Sequence, residues 1–210
     1  SQLYEAGLNY NREFGKHDVG ATLVVNYHRL NNQYMTGKNL DKTSVPETMG
    51  VAKSSTLSGN ETINERASTI GRLNYSYANK YFAEFSFRVD GSTNFSPSNR
   101  WGFFPSFSAG WRFSDEAFFE SLKDLVSNAK FRASWGKLGN QYVGSSNYPY
   151  LSVLNALDSS DNNISLIGAN PTTAYVQSRL ANPNLSWETI TMLDFGFDLM
   201  MLQNRLGFTF

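Results

Sequence analysis

The sequence predicts an all-β fold, an antiparallel transmembrane β-barrel with one short periplasmic helix. Three observations predict it. Five segments between Ile70 and Leu199 alternate with period two, and in all five the charges sit on one phase, apart from Lys137 at the end of one. The connections between segments alternate between short and long. The tryptophans fall at segment ends, where a barrel carries its aromatic girdles.

The clearest run is Tyr81–Asp90. Tyr81, Ala83, Phe85, Phe87 and Val89 occupy one phase, and Glu84, Ser86, Arg88 and Asp90 the other. Successive side chains of a strand point to opposite faces, so this ribbon has an oily wall and a charged wall. The same split sets Arg72 and Asn74 against Leu73, Tyr75 and Tyr77, and Ser106, Ser108 and Arg112 against Phe107, Ala109 and Trp111. It sets Lys130, Arg132 and Ser134 against Phe131, Ala133 and Trp135. It also sets Glu188, Asp194 and Asp198 against Leu193, Phe195, Phe197 and Leu199. Charges beyond the first in each strand agree in phase with a random chance of roughly 1 in 32, since each faces one of two sides.

Eight strands follow: Leu3–Phe14, Asp18–Arg29, Ala67–Ala78, Tyr81–Asp90, Gly102–Phe113, Ala129–Lys137, Trp187–Met201 and Arg205–Phe210. Residues 15–17, Asn79-Lys80 and 202–204 are short turns, and Asn79 suits a left-handed turn position. The connections near 30–66 and 140–186 are long and 91–101 is intermediate, which puts the tight turns on one rim. Residues 114–127 break the rule by their length. Ser114 is a candidate N-cap, Asp115 and Glu116 suit a first turn, and Phe118, Leu122 and Leu125 share a helical face. This is the expected periplasmic helix. Tyr10, Tyr77, Tyr81 and Trp111 then lie near the periplasmic rim, and Trp101, Trp135 and Trp187 near the outer one.

Composition narrows the function. The formal net charge is zero, which argues against a nucleic-acid partner. There is no cysteine, which removes disulfides, thiolate metal sites and thiol nucleophiles. No stretch approaches a membrane-spanning helix, but barrel strands cross in about 9–11 residues and hide their hydrophobicity by alternation. An Arg or Lys facing lipid at the midplane costs about 2–4 kcal/mol. Arg72, Glu84, Arg88, Asp90, Arg112, Arg132, Asp194 and Asp198 are therefore expected to face a lumen. Mixed charge at this density implies a wet or plug-filled interior, hence a large barrel. The first residues carry no leader pattern and the last strand stops mid-pattern, so a piece of a longer chain is expected.

Catalytic, cofactor and metal sites are not expected. His17 and His28 lie at opposite ends of one strand and cannot share a metal. The stretch 158–163 is rich in oxygen ligands but lacks the Gly and terminal Glu of a calcium loop. Neither a phosphate loop nor a nucleophile elbow is present. Asn140, Gln141, Tyr142, Tyr148, Tyr150 and Tyr175, with Asn147, are candidates to stack on and hydrogen-bond a ligand. An ordinary folded loop with buried tyrosines is the plainer reading of the same residues.

Arg88-Val89-Asp90-Gly91-Ser92-Thr93-Asn94-Phe95, followed by Asn99-Arg100-Trp101-Gly102-Phe103-Phe104-Pro105-Ser106, resembles the SusC/RagA family of TonB-linked outer-membrane transporters. So do Arg72–Tyr77 with Tyr81, Arg132–Gln141 and Asn182–Thr189, in the same order and spacing. The resemblance covers most of residues 66–210. It implies a 22-stranded barrel, with residues 1–210 one partial barrel domain and the plug outside them. It also implies TonB-energised import of oligosaccharides or peptides through the outer membrane, and a SusD-like surface lipoprotein as lid. A passive porin and a soluble β-sandwich adhesin or carbohydrate-binding module are the alternatives from the residues alone.

Overall fold

A computed structural model describes residues 1–39, 55–142, 144, 148–156, 166–167, 170–171 and 175–210. Its strands are β1 (Gln2–Phe14), β2 (His17–Asn39), β3 (Ser55–Tyr77), β4 (Tyr81–Ser92), β5 (Trp101–Arg112) and β6 (Val126–Asn140). They continue with β7 (Val153–Ala156), β8 (Leu166–Ile167), β9 (Asn170–Pro171), β10 (Tyr175–Arg179), β11 (Glu188–Met201) and β12 (Leu206–Thr209). One eight-stranded antiparallel sheet runs β1-β2-β3-β4-β5-β6-β11-β12. Its eight members correspond to the eight strands the alternation predicts. Among the described residues β1 and β12 do not pair with each other, so the sheet is open.

The register tests the phase directly, because residues opposed in an antiparallel ladder share a face. Tyr10, Ala21, Leu73, Phe85, Phe107, Trp135 and Leu193 are opposed in one unbroken row. Asn11, Gly20, Asn74, Glu84, Ser108, Ser134 and Asp194 form the adjacent row on the opposite face. The apolar face is uncovered: Phe107 is 51% and Phe195 62% exposed. Its rings meet across strands, Phe85 to Phe107 at 4.8 Å and Phe107 to Trp135 at 5.9 Å. A soluble sandwich would bury this face against a second sheet. Here the buried hydrophobic residues among those described are Phe95, Phe104, Val126 and Ala129, none of them in the aromatic row. On β5 the apolar band is bounded by Trp101 and Trp111. The ten steps between them span about 33 Å along the strand, which a tilt of about 40° projects to about 25 Å, the height of a lipid-facing band.

Two expectations need correction. The connection expected over 30–66 is largely strand, since the β2–β3 ladder continues from Leu30↔Asn64 out to Asn39↔Ser55. Polar residues fall on both phases there, with Leu30, Met35, Leu57 and Ile63 scattered among them, so hydrophobic periodicity gave no signal. Cross-strand polar bonds stabilise the extension instead. Glu61 accepts from Gln33 Nε2 at 3.0 Å and from Asn31 Nδ2 at 2.8 Å, and these bonds hold its carboxyl below the usual range. The connection 140–186 likewise contains the small ladders β7–β10 and β8–β9.

The periplasmic helix is the second correction. Residues 113–122 form two 3-10 turns, Phe113–Asp115 and Ala117–Leu122, with Glu116 extended between them. Ser114 caps neither turn and is buried inside the first. The break follows from the Glu116 carboxylate, which accepts from Tyr81 Oη at 2.6 Å, Trp111 Nε1 at 3.3 Å and Lys80 Nζ at 3.3 Å. Two girdle aromatics are thus pinned to one carboxylate at the rim.

Neighbouring turns on this rim are also tied through the backbone. Ala78 N donates to Lys16 O, Arg112 N to Lys80 O and Leu202 N to Leu125 O. Ala78 and Asn79 both have positive φ, and Lys80 N closes the turn onto Tyr77 O. A left-handed alanine costs about 1–2 kcal/mol, which the bond to the adjacent turn offsets.

Placing arginine at Phe107 sets a charge on the apolar face at a cost of about 2–4 kcal/mol. Phe107→Arg is therefore expected to abolish membrane-assembled protein, while Arg88→Ala leaves most of it, as read by heat-modifiable mobility of the full-length protein. Equal losses would contradict the facial assignment.

The bonds from Tyr81 and then Trp111 hold the Glu116 carboxyl below the usual carboxylate range. Its stabilising contribution is full above the unfolded carboxyl pKa of about 4 and disappears as pH falls through the lower folded value. Glu116→Gln should lower the unfolding midpoint at neutral pH, and the gap to the parent protein should close as the medium is acidified below the carboxylate range.

Candidate functional site on the charged face

The strand period puts the eight charged residues singled out from the sequence on one face, and the register brings several into contact. Arg88 and Asp90 are two apart on β4, and Ser68 is opposite Asp90. Arg88 Nε donates to both Asp90 oxygens, at 2.8 and 2.6 Å, and its Nη2 to Ser68 Oγ at 3.3 Å. Diagonal neighbours make the next pairs: Arg72 Nε to Glu84 at 3.6 Å and Arg132 Nε to Asp198 at 2.9 Å. Arg112 reaches Asp115 on the rim at 3.6 Å and lies 5.4 Å from the Phe82 ring centre, which Lys130 also covers at 4.5 Å. Asp194 lies opposite Ser134 in the polar row.

Two recesses open on this face. The outer one, about 480 Å³, is lined by side chains that include Arg66, Ser68, Arg72, Arg88, Asp90, Phe104 and Trp187. The inner one, about 680 Å³, meets residues from Asp18 on β2 to Asp194 on β11. One recess touching strands this far apart means that the sheet curves around its charged face, as a barrel wall does.

The six candidate ligand-contact residues do not converge. Asn140 and Gln141 line the outer recess. Asn140 Nδ2 donates to Glu188 at 2.9 Å and its Oδ1 accepts from Tyr142 N at 2.9 Å, while Gln141 Oε1 is buried without a partner among the described residues. Tyr142 projects into solvent, and Tyr175 is exposed on β10. Tyr148 Oη donates to Ile63 O on β3, so its phenol docks the loop to the wall. Tyr150 is half-buried, and none of the four tyrosines lines the recess. Asn147 and residues 158–163 lie outside the described residues. Of the two histidines, His17 joins the periplasmic girdle, with its Nδ1 2.8 Å from Tyr75 Oη and its ring 5.2 Å from Phe14. Arg66 Nη2 donates to His28 Nδ1 at 3.0 Å on the charged face.

A cluster that alternation could not reveal closes the outer end. Phe95, fully buried, meets Trp187 at 5.0 Å, and Trp187 meets Phe104 edge-on at 5.4 Å. Trp187 Nε1 donates to Arg100 O at 3.1 Å. Ser96 Oγ donates to Pro183 O at 2.9 Å, and Asn99 Nδ2 lies 3.2 Å from the same oxygen. Loop 91–100 is thereby locked to residues 182–187. Trp187 faces this cluster and not the outer girdle, which corrects its expected place. Its neighbour Glu188 opens β11, but Trp187 itself precedes the strand and is free of the strand's phase. The signals for this lock were the runs Arg88–Phe95 with Asn99-Arg100 and Asn182–Thr189, which resemble the transporter family without revealing that they meet.

The profile described as "TonB dependent receptor-like, beta-barrel" matches residues 1–210. The chain belongs to the TonB-dependent receptor β-barrel family. Its wall is an outer-membrane barrel wall. TonB-dependent receptor P3 of Formosa agariphila is 34% identical over 218 residues, covering 99% of this chain and 20% of that protein. TonB-dependent receptor SusC of Bacteroides thetaiotaomicron is 37% identical over 147 residues, covering 69% of this chain and 14% of SusC. A structure of the RagAB peptide transporter superposes with a TM-score of 0.76 at 21% identity, over 98% of this chain and 22% of that one. The chain thus spans about a fifth of the curated receptor P3. The same share of the solved chain carries the same fold.

Removing the Phe95 ring should cost about 3–5 kcal/mol of packing, concentrated in the loop lock. Phe95→Ala is expected to speed amide exchange across residues 91–100 and 182–187 while β2–β3 exchange stays unchanged. Uniform protection in both regions would show that the ring does not hold the lock.

Proposed function

We propose that these residues are a stretch of barrel wall in an outer-membrane importer, energised by TonB, that takes up oligosaccharides or peptides. In this reading the charged face lines the lumen and contacts the plug, the outer ends of the strands and the loop lock meet cargo, and a SusD-like lipoprotein covers the opening. The observation that carries it is the continuous ionic face on a sheet whose other face is uncovered and aromatic. Membership of a receptor family in which SusC is a relative supports the energised reading over a passive pore. The RagAB peptide transporter, a structural neighbour, supports a cargo of oligomer size.

The test is uptake of labelled oligosaccharides and peptides by cells carrying the full-length protein, with and without TonB. Uptake that requires both is expected. Uptake that persists without TonB and scales with concentration would favour a porin.

A further inference from the structure

We propose that the outer recess binds carboxylate groups of the cargo, so that an acidic oligomer is taken in preference to its neutral counterpart. The proposal rests on the importer reading and goes on to name the chemistry of what is imported. Three guanidinium groups, Arg66, Arg72 and Arg88, line this recess against one carboxylate, Asp90. Arg88 already satisfies Asp90 through two short bonds, which leaves two arginines in excess. The Arg72–Glu84 pair is 3.6 Å apart with both side chains well exposed, so it holds Arg72 only weakly. Arg66 Nη2 lies 3.0 Å from His28 Nδ1, and an imidazole brings no anion to the recess.

The balance reverses in the inner recess, where Asp18, Glu84 and Asp194 outnumber Lys130 and Arg132. Of the two recesses, the outer one therefore carries the excess of positive charge. Arg66 lies opposite Ser92, at the outer end of β4, and Asn140 ends β6. The recess is reached first from the side on which the loops lie. Fixed charge in a walled cleft raises the local concentration of oppositely charged solutes. The guanidinium fork matches a carboxylate in two parallel bonds, which an ammonium cannot do. Trp187 and Phe104 add apolar faces beside the arginines for a ring or an aliphatic stem.

Carboxylates reach such a site either on uronate sugars or on peptides. The experiment is calorimetric titration of the purified full-length protein with two matched pairs. One pair is oligogalacturonate against a neutral maltooligosaccharide of equal length. The other is a Glu-rich peptide against its Gln-substituted, amidated counterpart. The acidic member of at least one pair should bind at least about tenfold tighter, with the margin shrinking as salt is added. The pair that responds identifies the source of the carboxylate. Arg66→Gln combined with Arg72→Gln should remove about tenfold in affinity for that acidic member and move the neutral one less than about twofold.

Equal affinity within both pairs, no binding of either acidic member, or a double variant that keeps the preference would overturn the proposal. A double variant with unchanged affinities and a lower unfolding midpoint would assign these arginines to an acidic stretch of the plug, and would also overturn it. TonB-dependent uptake without charge discrimination would sink this inference alone. Absence of any TonB-dependent uptake would sink the importer reading first.

Discussion

Hydrocarbon offers no partner to an ionised group or to an unpaired amide, and that one constraint organises the sheet. Every strand of the membrane band must pair on both sides, and charges deep in the band are driven to one face, with Lys137 and Arg12 on the apolar phase toward the strand ends. The period of two makes the second demand unforgiving, because a slip of one residue turns a whole strand inside out. The rows from Tyr10 to Leu193 and from Asn11 to Asp194 cross seven strands without such a slip. Arg88 and Asp90 can then be neighbours on the charged face while Val89 and Phe87, between and beside them, lie on the apolar one.

A sheet of this kind has little conventional core. Its fixed points lie at the two ends of the strands. On the periplasmic rim, Glu116 gathers Tyr81, Trp111 and Lys80, and backbone bonds link each turn to the next. At the outer end Phe95, Trp187 and Phe104 pack together, and Ser96 and Asn99 bind the carbonyl of Pro183. Between these ends the rings of the apolar face contact one another across the strands.

Most of the wall was legible from the residues. Alternation is a strong signal where one face is oily, so β4, β5, β6 and β11 were found within a few residues of their ends. It fades where both faces are polar, which is why residues 30–39 and 55–66 read as loop although they continue β2 and β3. The helix over 114–127 misled for another reason. A helical spacing of Phe118, Leu122 and Leu125 does not register that Glu116 is drawn into an extended conformation by two girdle side chains from other strands. The loop lock was beyond reach for the same reason: Phe95 and Trp187 meet across a long stretch of sequence with no shared period. The candidate ligand tyrosines were chosen by composition, and Tyr148 shows the weakness of that criterion, since its hydroxyl is committed to the backbone of β3.

The ladder joins each strand to its sequence neighbour except once. β6 must find β11 across residues 141–187, whereas β3 meets β4 across residues 78–80. By loop-length scaling that single closure costs roughly 2 kcal/mol more in chain entropy than the tight turn does. A wall zipped hairpin by hairpin would hesitate at this seam. The docking of residues 182–187 onto loop 91–100 delivers the start of β11 to the edge of β6, shortening the search at the one place where sequence proximity gives no help.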